Sequence, residues 1–154
     1  MIFMVKQKLT TRQKISQIVR GANALRWRMR GVHIGKHVQI AKDAQLDRLN
    51  PQGVYIGDYS MISVEAMVVA HDYFNKRGKV QTHIGQHCVI GGRAYISGGI
   101  TLGDHVFVAA CSVVTKDIPS HCLVAGNPAR IIRKGIEISD SWQFESKGER
   151  YNPQ

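Results

Sequence analysis

The stretch THIGQHCVIGGRAYISGGITLGDHVFVAACSVV, residues 82–114, decides the fold. Ile84, Ile90, Ile96, Leu102, Val108 and Val114 recur at every sixth position, and two places before each stands a small or β-branched residue: Thr82, Cys88, Ala94, Ile100, Val106 and Ser112. The same pairing continues toward the N-terminus as Val54 with Ile56, Ser60 with Ile62 and Ala66 with Val68, then Val32 with Ile34, Val38 with Ile40 and Ala44 with Leu46. Twelve hexads agree at both positions. Gly follows the repeat residue at 35, 57, 85, 91 and 103, which suits a corner after a very short strand. A hexad period with such corners predicts a mainly β chain wound as a parallel β-helix of about four coils, each coil burying its apolar layer against the next.

Two interruptions carry information. Leu46 to Ile56 is ten residues and Val68 to Ile84 is sixteen, in place of six. Both fall between a third and a first hexad, so both loops are expected to leave the prism at one corner, one coil apart. A long excursion from a regular solenoid costs order without extending the core, which marks it as functional. The second excursion opens Val69-Ala70-His71-Asp72-Tyr73.

At 154 residues and 44% hydrophobic content the chain suits one domain. The pattern divides it into a basic helical segment (1–31), the solenoid (32–134) and a tail (135–154). Met1 to Val5 is too short for a signal core and no run reaches transmembrane length, so a cytoplasmic location is expected. Three cysteines make no even framework and no CxxC, and read as reduced thiols. The net charge of +10 lies wholly in the first 42 residues, which hold ten Lys or Arg and no acid. No nucleic-acid-reading motif accompanies that charge.

Ile15, Ile18, Val19, Ala22, Leu25 and Met29 follow helical spacing and predict an amphipathic helix over about residues 11–30, with Lys14, Arg20, Arg26, Arg28 and Arg30 among them. Its apolar stripe is expected to cap the open first coil, with weak peripheral contact to anionic lipid as the other reading. After Val114, Pro119, Gly126 and Pro128 are expected to end the solenoid. In the tail Ile136, Ile138, Trp142 and Phe144 point to docking rather than free disorder.

His71 is the candidate general base, because an imidazole titrates near neutrality and can take a proton from an attacking hydroxyl. Asp72 beside it is a candidate for orienting a substrate. His37, His87 and His105 sit at corners, while His33 and His83 precede repeat residues and point outward; all read as solvated scaffold. The pairs His33/His37 and His83/His87 have HxxxH spacing but span corners instead of a helix face, so no metal site is assigned. Cys111 and Ser112 lack a base nearby in sequence, and GxSxG is absent, which favours direct transfer.

Residues 84–92, then the run from Val106 to Pro119 with its Ser112-Val113-Val114-Thr115-Lys116-Asp117-Ile118-Pro119, and finally Ala125-Gly126-Asn127-Pro128-Ala129-Arg130 resemble the maltose, galactoside and capsular-sugar O-acetyltransferases of the hexapeptide-repeat family. That resemblance implies a left-handed winding, a homotrimer, acetyl-CoA as donor and no metal. It places the catalytic histidine at His71, and the coenzyme in a groove between subunits. Gly92 and Ala110 would lie along the pantetheine arm, with Thr115, Lys116, Arg130 and Arg133 near the adenosine phosphates. Cations suit a ligand with several phosphate charges. The segment from Leu46 to Val54 resembles the first-corner loop of polysaccharide-cluster acetyltransferases, and Asp47 there is assigned with Asp72 to the acceptor. The implied activity is acetyl transfer to a sugar hydroxyl on a glycan, polysaccharide or lipopolysaccharide precursor; the alternatives are N-acetylation of a nucleotide-linked amino sugar and a non-catalytic scaffold. The chain departs from the pattern at Val89, where Trp is frequent, and at Cys111, where Gly is frequent.

Overall fold

A computed structural model describes residues 10–75 and 77–152, apart from the side chains of residues 12–14. The apolar start Met1 to Val5 and the Lys14 side chain lie outside the described residues. After a helix α1 (Thr11–Met29), the chain winds four coils of three short strands. The first coil is β1 (His33–Ile34), β2 (Gln39–Ile40) and β3 (Gln45–Leu46), and the second is β4 (Val54–Ile56), β5 (Met61–Ile62) and β6 (Met67–Val68). A small hairpin, β7 (His71–Asp72) with β8 (Gly78–Lys79), then leaves the wall. The third coil is β9 (Thr82–Ile84), β10 (Val89–Ile90) and β11 (Tyr95–Ile96), and the fourth is β12 (Thr101–Leu102), β13 (Phe107–Val108) and β14 (Val113–Val114).

Equivalent strands stack in parallel into three sheets, the walls of a left-handed prism. The register is set by the repeat residues: Ile34, Ile56, Ile84 and Leu102 align on the first face. Ile40, Ile62, Ile90 and Val108 align on the second, and Leu46, Val68, Ile96 and Val114 on the third. These side chains are buried apart from Ile34, with the small residues two places earlier tucked among them. Alternation at period two gives each strand one inward side chain per face.

The corners work differently from the sequence expectation. The left-handed backbone is taken by His37, Tyr59, His87, His105 and His121 at one corner and by Glu65, Arg93 and Cys111 at the next. The corner glycines serve close approach between coils: a Cβ on Gly57 would lie 2.6 Å from the Gly85 carbonyl carbon, and one on Gly85 would lie 2.5 Å from the Gly103 oxygen.

The wall does not stop after Val114. Ile118 bridges to Leu102, and β15 (Cys122–Gly126) pairs in parallel with β13, so two further sides are laid before the chain reverses. Then β16 (Ala129–Ile138) and β17 (Phe144–Arg150) add antiparallel strands to the same sheet, and β16 runs unbroken through 134–135. Ile136 and Ile138 are buried against Val89, with Met61, Phe107, Leu123 and Trp142 around them. The Trp142 indole N–H donates to the Tyr59 carbonyl at 2.7 Å.

The cap also differs from expectation. Helix α1 closes the first coil through Ala24 and Trp27, and Asn23 Nδ2 donates to the Ala41 carbonyl at 2.7 Å. The predicted stripe faces away, with Ile18 71% and Met29 75% exposed. An open solenoid end presents carbonyls that need donors, and an amide supplies one where an aliphatic stripe cannot.

Candidate functional site

Both interruptions leave the wall between the third and first faces, one coil apart, as β3 gives way to β4 and β6 to β9. The short loop supports the long one. Asn50 Nδ2 donates to the carbonyls of Ala70 and Val80, both at 2.8 Å, clasping the two roots of the excursion. Thr82 Oγ1 donates to the Val69 carbonyl at 2.6 Å and accepts from the Gly99 N–H. Gly98 leaves room for β7 to pass: a Cβ there would lie 2.4 Å from the His71 carbonyl oxygen.

On this platform His71 Nδ1 meets Asp47 Oδ2 at 2.6 Å. The Asp47 side chain is 1% exposed and the His71 ring 30% exposed. Asp47 Oδ1 accepts the backbone N–H of Leu49 and Asn50, and Oδ2 also accepts that of Ala70. Burial pushes the carboxyl pKa up, but the donors from Ala70, Asn50, His71 and Leu49 outweigh it and hold the group below its ordinary value. An ionised carboxylate only accepts, so Nδ1 donates the shared proton and Nε2 is the ring nitrogen that Asp47 does not engage. Asp47 was expected on the acceptor side, and its oxygens are turned inward onto backbone and imidazole.

Asp72 takes two hydrogen bonds from the Asn75 amide and lies 3.8 Å from Arg77, closing the hairpin turn. Those bonds, chiefly from Asn75, hold its carboxyl low. Sequence reasoning did not single out Tyr95. It stands on the third face in register with Met67 and Val113, and its phenol is pushed up by burial and by the charges of Asp47 and Asp72. The signal for it was an outward aromatic one place before a repeat residue.

Gly92 and Ala110 sit at the corner between the second and third faces, where the Cys111 N–H donates to the Gly92 carbonyl. Thr115, Lys116 and Arg130 are exposed. Arg133 is half-buried and donates to the carbonyls of Lys147 and Gly148. In one chain the third face separates Gly92 and Ala110 from His71, so a single copy does not bring them together. A concavity of about 640 Å³ lies on the first face against His33, Tyr55, Asn50 and Lys79 and leaves His71 out.

The remaining histidines form stacked ladders. His33, Tyr55 and His83 stack on the first face at 4.3 and 4.5 Å. His37, Tyr59, His87, His105 and His121 stack along the first corner at 4.8 to 5.1 Å. Each HxxxH pair is thus split between two ladders. Among the described residues no three His, Cys, Asp or Glu side chains converge as a metal site. Burial pushes the Cys88 thiol up to about 12, so that sulfur is inert packing.

Residues 81–116 match the family of bacterial transferase hexapeptide repeats. A candidate acetyltransferase of Bacillus subtilis strain 168, YvoF, is 31% identical over 108 residues, which is 70% of this chain and 63% of that protein. A candidate acetyltransferase of Staphylococcus aureus strain COL is 44% identical over 61 residues, 40% of this chain and 30% of the relative. The chain thus spans less than two thirds of the length of these relatives. Among solved structures, the polySia-specific acetyltransferase NeuO aligns with a TM-score of 0.57 at 26% identity, covering 68% of this chain and 52% of that one. Galactoside acetyltransferase in complex with coenzyme A aligns with a TM-score of 0.52 at 27% identity, covering 80% and 64%.

Proposed function

We propose that this chain, which belongs by repeat and fold with the hexapeptide-repeat acetyltransferases, moves an acetyl group from acetyl-CoA to a sugar hydroxyl with His71 as general base. The observation that carries the reading is the His71–Asp47 pair, a half-exposed imidazole whose inner nitrogen is bound to a buried carboxylate. His71 Nε2 takes the hydroxyl proton as the sugar oxygen attacks the thioester carbonyl. The resulting imidazolium is stabilised by Asp47. Collapse of the tetrahedral adduct breaks the C–S bond, and the proton passes from Nε2 to the departing thiolate, so the base is regenerated. Coenzyme A bound to galactoside acetyltransferase supports the choice of donor. The sugar-directed names of that enzyme and of NeuO support the acceptor class.

The coenzyme would run past Gly92 and Ala110, with Thr115, Lys116 and Arg130 near its phosphates. Arg133 would join them: its Nη1 donates to the Lys147 and Gly148 carbonyls, as the Arg130 Nη1 does to those of Pro128 and Ala129, and the remaining N–H groups of each guanidinium would meet phosphate. Because Gly92 and Ala110 stand a face away from His71, the reading requires a neighbouring copy, and a homotrimer completes the site. Asp72 would shape the hairpin and Tyr95 would line the acceptor side.

The test is acetyl-CoA-dependent thiol release over a panel of sugars and glycans. His71→Ala is expected to lower turnover by roughly 100- to 10,000-fold, the usual worth of general-base catalysis, with coenzyme affinity and melting temperature retained. A variant that keeps more than about a tenth of the wild-type rate would move the base elsewhere.

A further inference from the structure

The face of α1 that docks on the prism is not its apolar one. Asn23, Ala24 and Trp27 are buried, whereas Ile15, Ile18, Val19, Leu25 and Met29 are between 45% and 75% exposed. At about 100° per residue the two sets lie on opposite sides of the helix. Scattered apolar residues on a surface are ordinary, but a stripe that runs the length of one helix and turns its back on the core needs a partner.

The charge beside the stripe says which partner fits. Arg26 is exposed near the helix end and Arg30 follows it, while Arg28 donates to the Ile34 and Gly35 carbonyls of the first coil and the first acidic residue of the chain is Asp43. The Arg26 and Arg30 guanidinium carbons lie 5.7 and 4.9 Å from the Trp27 ring centre, so the buried indole anchors cations at the rim of the stripe. An apolar face rimmed by cations, with no acid on its element, is complementary to an anionic phospholipid surface. A second copy of the helix would instead bring two basic rims together. No helix among the described residues is long and apolar enough to cross a membrane, so contact would be in the plane of the headgroups.

We infer that α1 is a two-sided adaptor that caps the first coil with one face and lies in an anionic membrane surface with the other, standing the prism on its N-terminal end. No residue of α1 belongs to the His71–Asp47 pair, so membrane binding and catalysis are separable.

The full-length chain is co-sedimented with phosphatidylcholine vesicles and with vesicles carrying about 30 mol% phosphatidylglycerol at about 0.1 M salt. The wild type is expected to pellet with the anionic vesicles and far less with the neutral ones. Ile18→Glu combined with Leu25→Glu, both at exposed positions, is expected to weaken that binding by at least about tenfold. Arg26→Gln is expected to weaken it about fivefold, with melting temperature and thiol release unchanged in both variants. Absence of wild-type binding to anionic vesicles, or undiminished binding by the double variant, overturns the proposal. So does a fall in the double variant's solution mass by light scattering, which would reassign the stripe to a contact between copies.

Discussion

At the scale of the residue, the place of His71 was legible and its contact with Asp47 was not. The position of His71 at the root of an excursion separated it from six other histidines in the chain. Asp47 lies 24 residues earlier, and the pairing exists only because two loops share a corner; the sequence implied that shared corner, but not which side chain would turn inward. Its carboxylate predicts two effects. Asp47→Asn would place an amide N–H against Nδ1 and drive the ring proton to Nε2, so turnover should fall by about 100-fold or more while coenzyme affinity holds, as thiol-release kinetics would show. The second effect is on stability. The folded carboxyl is held below its ordinary value of 3.8, so the stabilisation is present above that pH and is lost as pH falls through the lower folded value. Melting curves from neutral pH to below 3.8 should therefore fall more steeply in the wild type than in Asp47→Asn. Equal slopes would mean that the carboxyl is not held low.

At the scale of the element, strands were read from one repeat, because inward position, register and face all follow from the same period of six. Helix α1 was read correctly in extent, Thr11–Met29, but turned the wrong way. Hydrophobic periodicity identifies a helix and ranks its faces by polarity. It does not register that the surface to be covered is a row of strand-end carbonyls, for which Asn23 and the bulk of Trp27 are better suited than leucine. The C-terminal segment was underread for a related reason: Pro119 and Gly126 signal a break in period, yet Ile118 and Val124 still occupy inward positions of a fifth turn of wall. Asn23→Ala is expected to cost about 0.5–1.5 kcal/mol by removing one donor from the Ala41 carbonyl, which keeps the Ala44 N–H, and Trp27→Ala about 3–5 kcal/mol by opening a cavity at the prism end. Ile18→Glu, on the opposite side, should stay within about 0.5 kcal/mol. Denaturant unfolding of the three variants checks the orientation, and a large loss in Ile18→Glu alone would reverse it.

At the scale of the whole molecule, the prism holds its proposed base and its proposed coenzyme contacts on two corners separated by the third face. That separation turns assembly into a kinetic prediction. If the base of one copy serves the groove of the next, a chain lacking the base and a chain with a blocked groove are defective at different places, and a mixed trimer can still form a whole site where the two meet. Ala110→Trp blocks the groove from an exposed position, and His71→Ala removes the base. Each variant purified alone should be inactive. Co-expressed in equal amounts with separate tags, they should assemble trimers in which about one interface in four joins an intact His71 to an intact groove, restoring about a quarter of wild-type thiol release. Dissociation and dilution should remove that activity, since only association completes the site. A site contained within one chain gives the opposite result, because every copy in the mixture then carries one defect or the other and no arrangement of subunits repairs it.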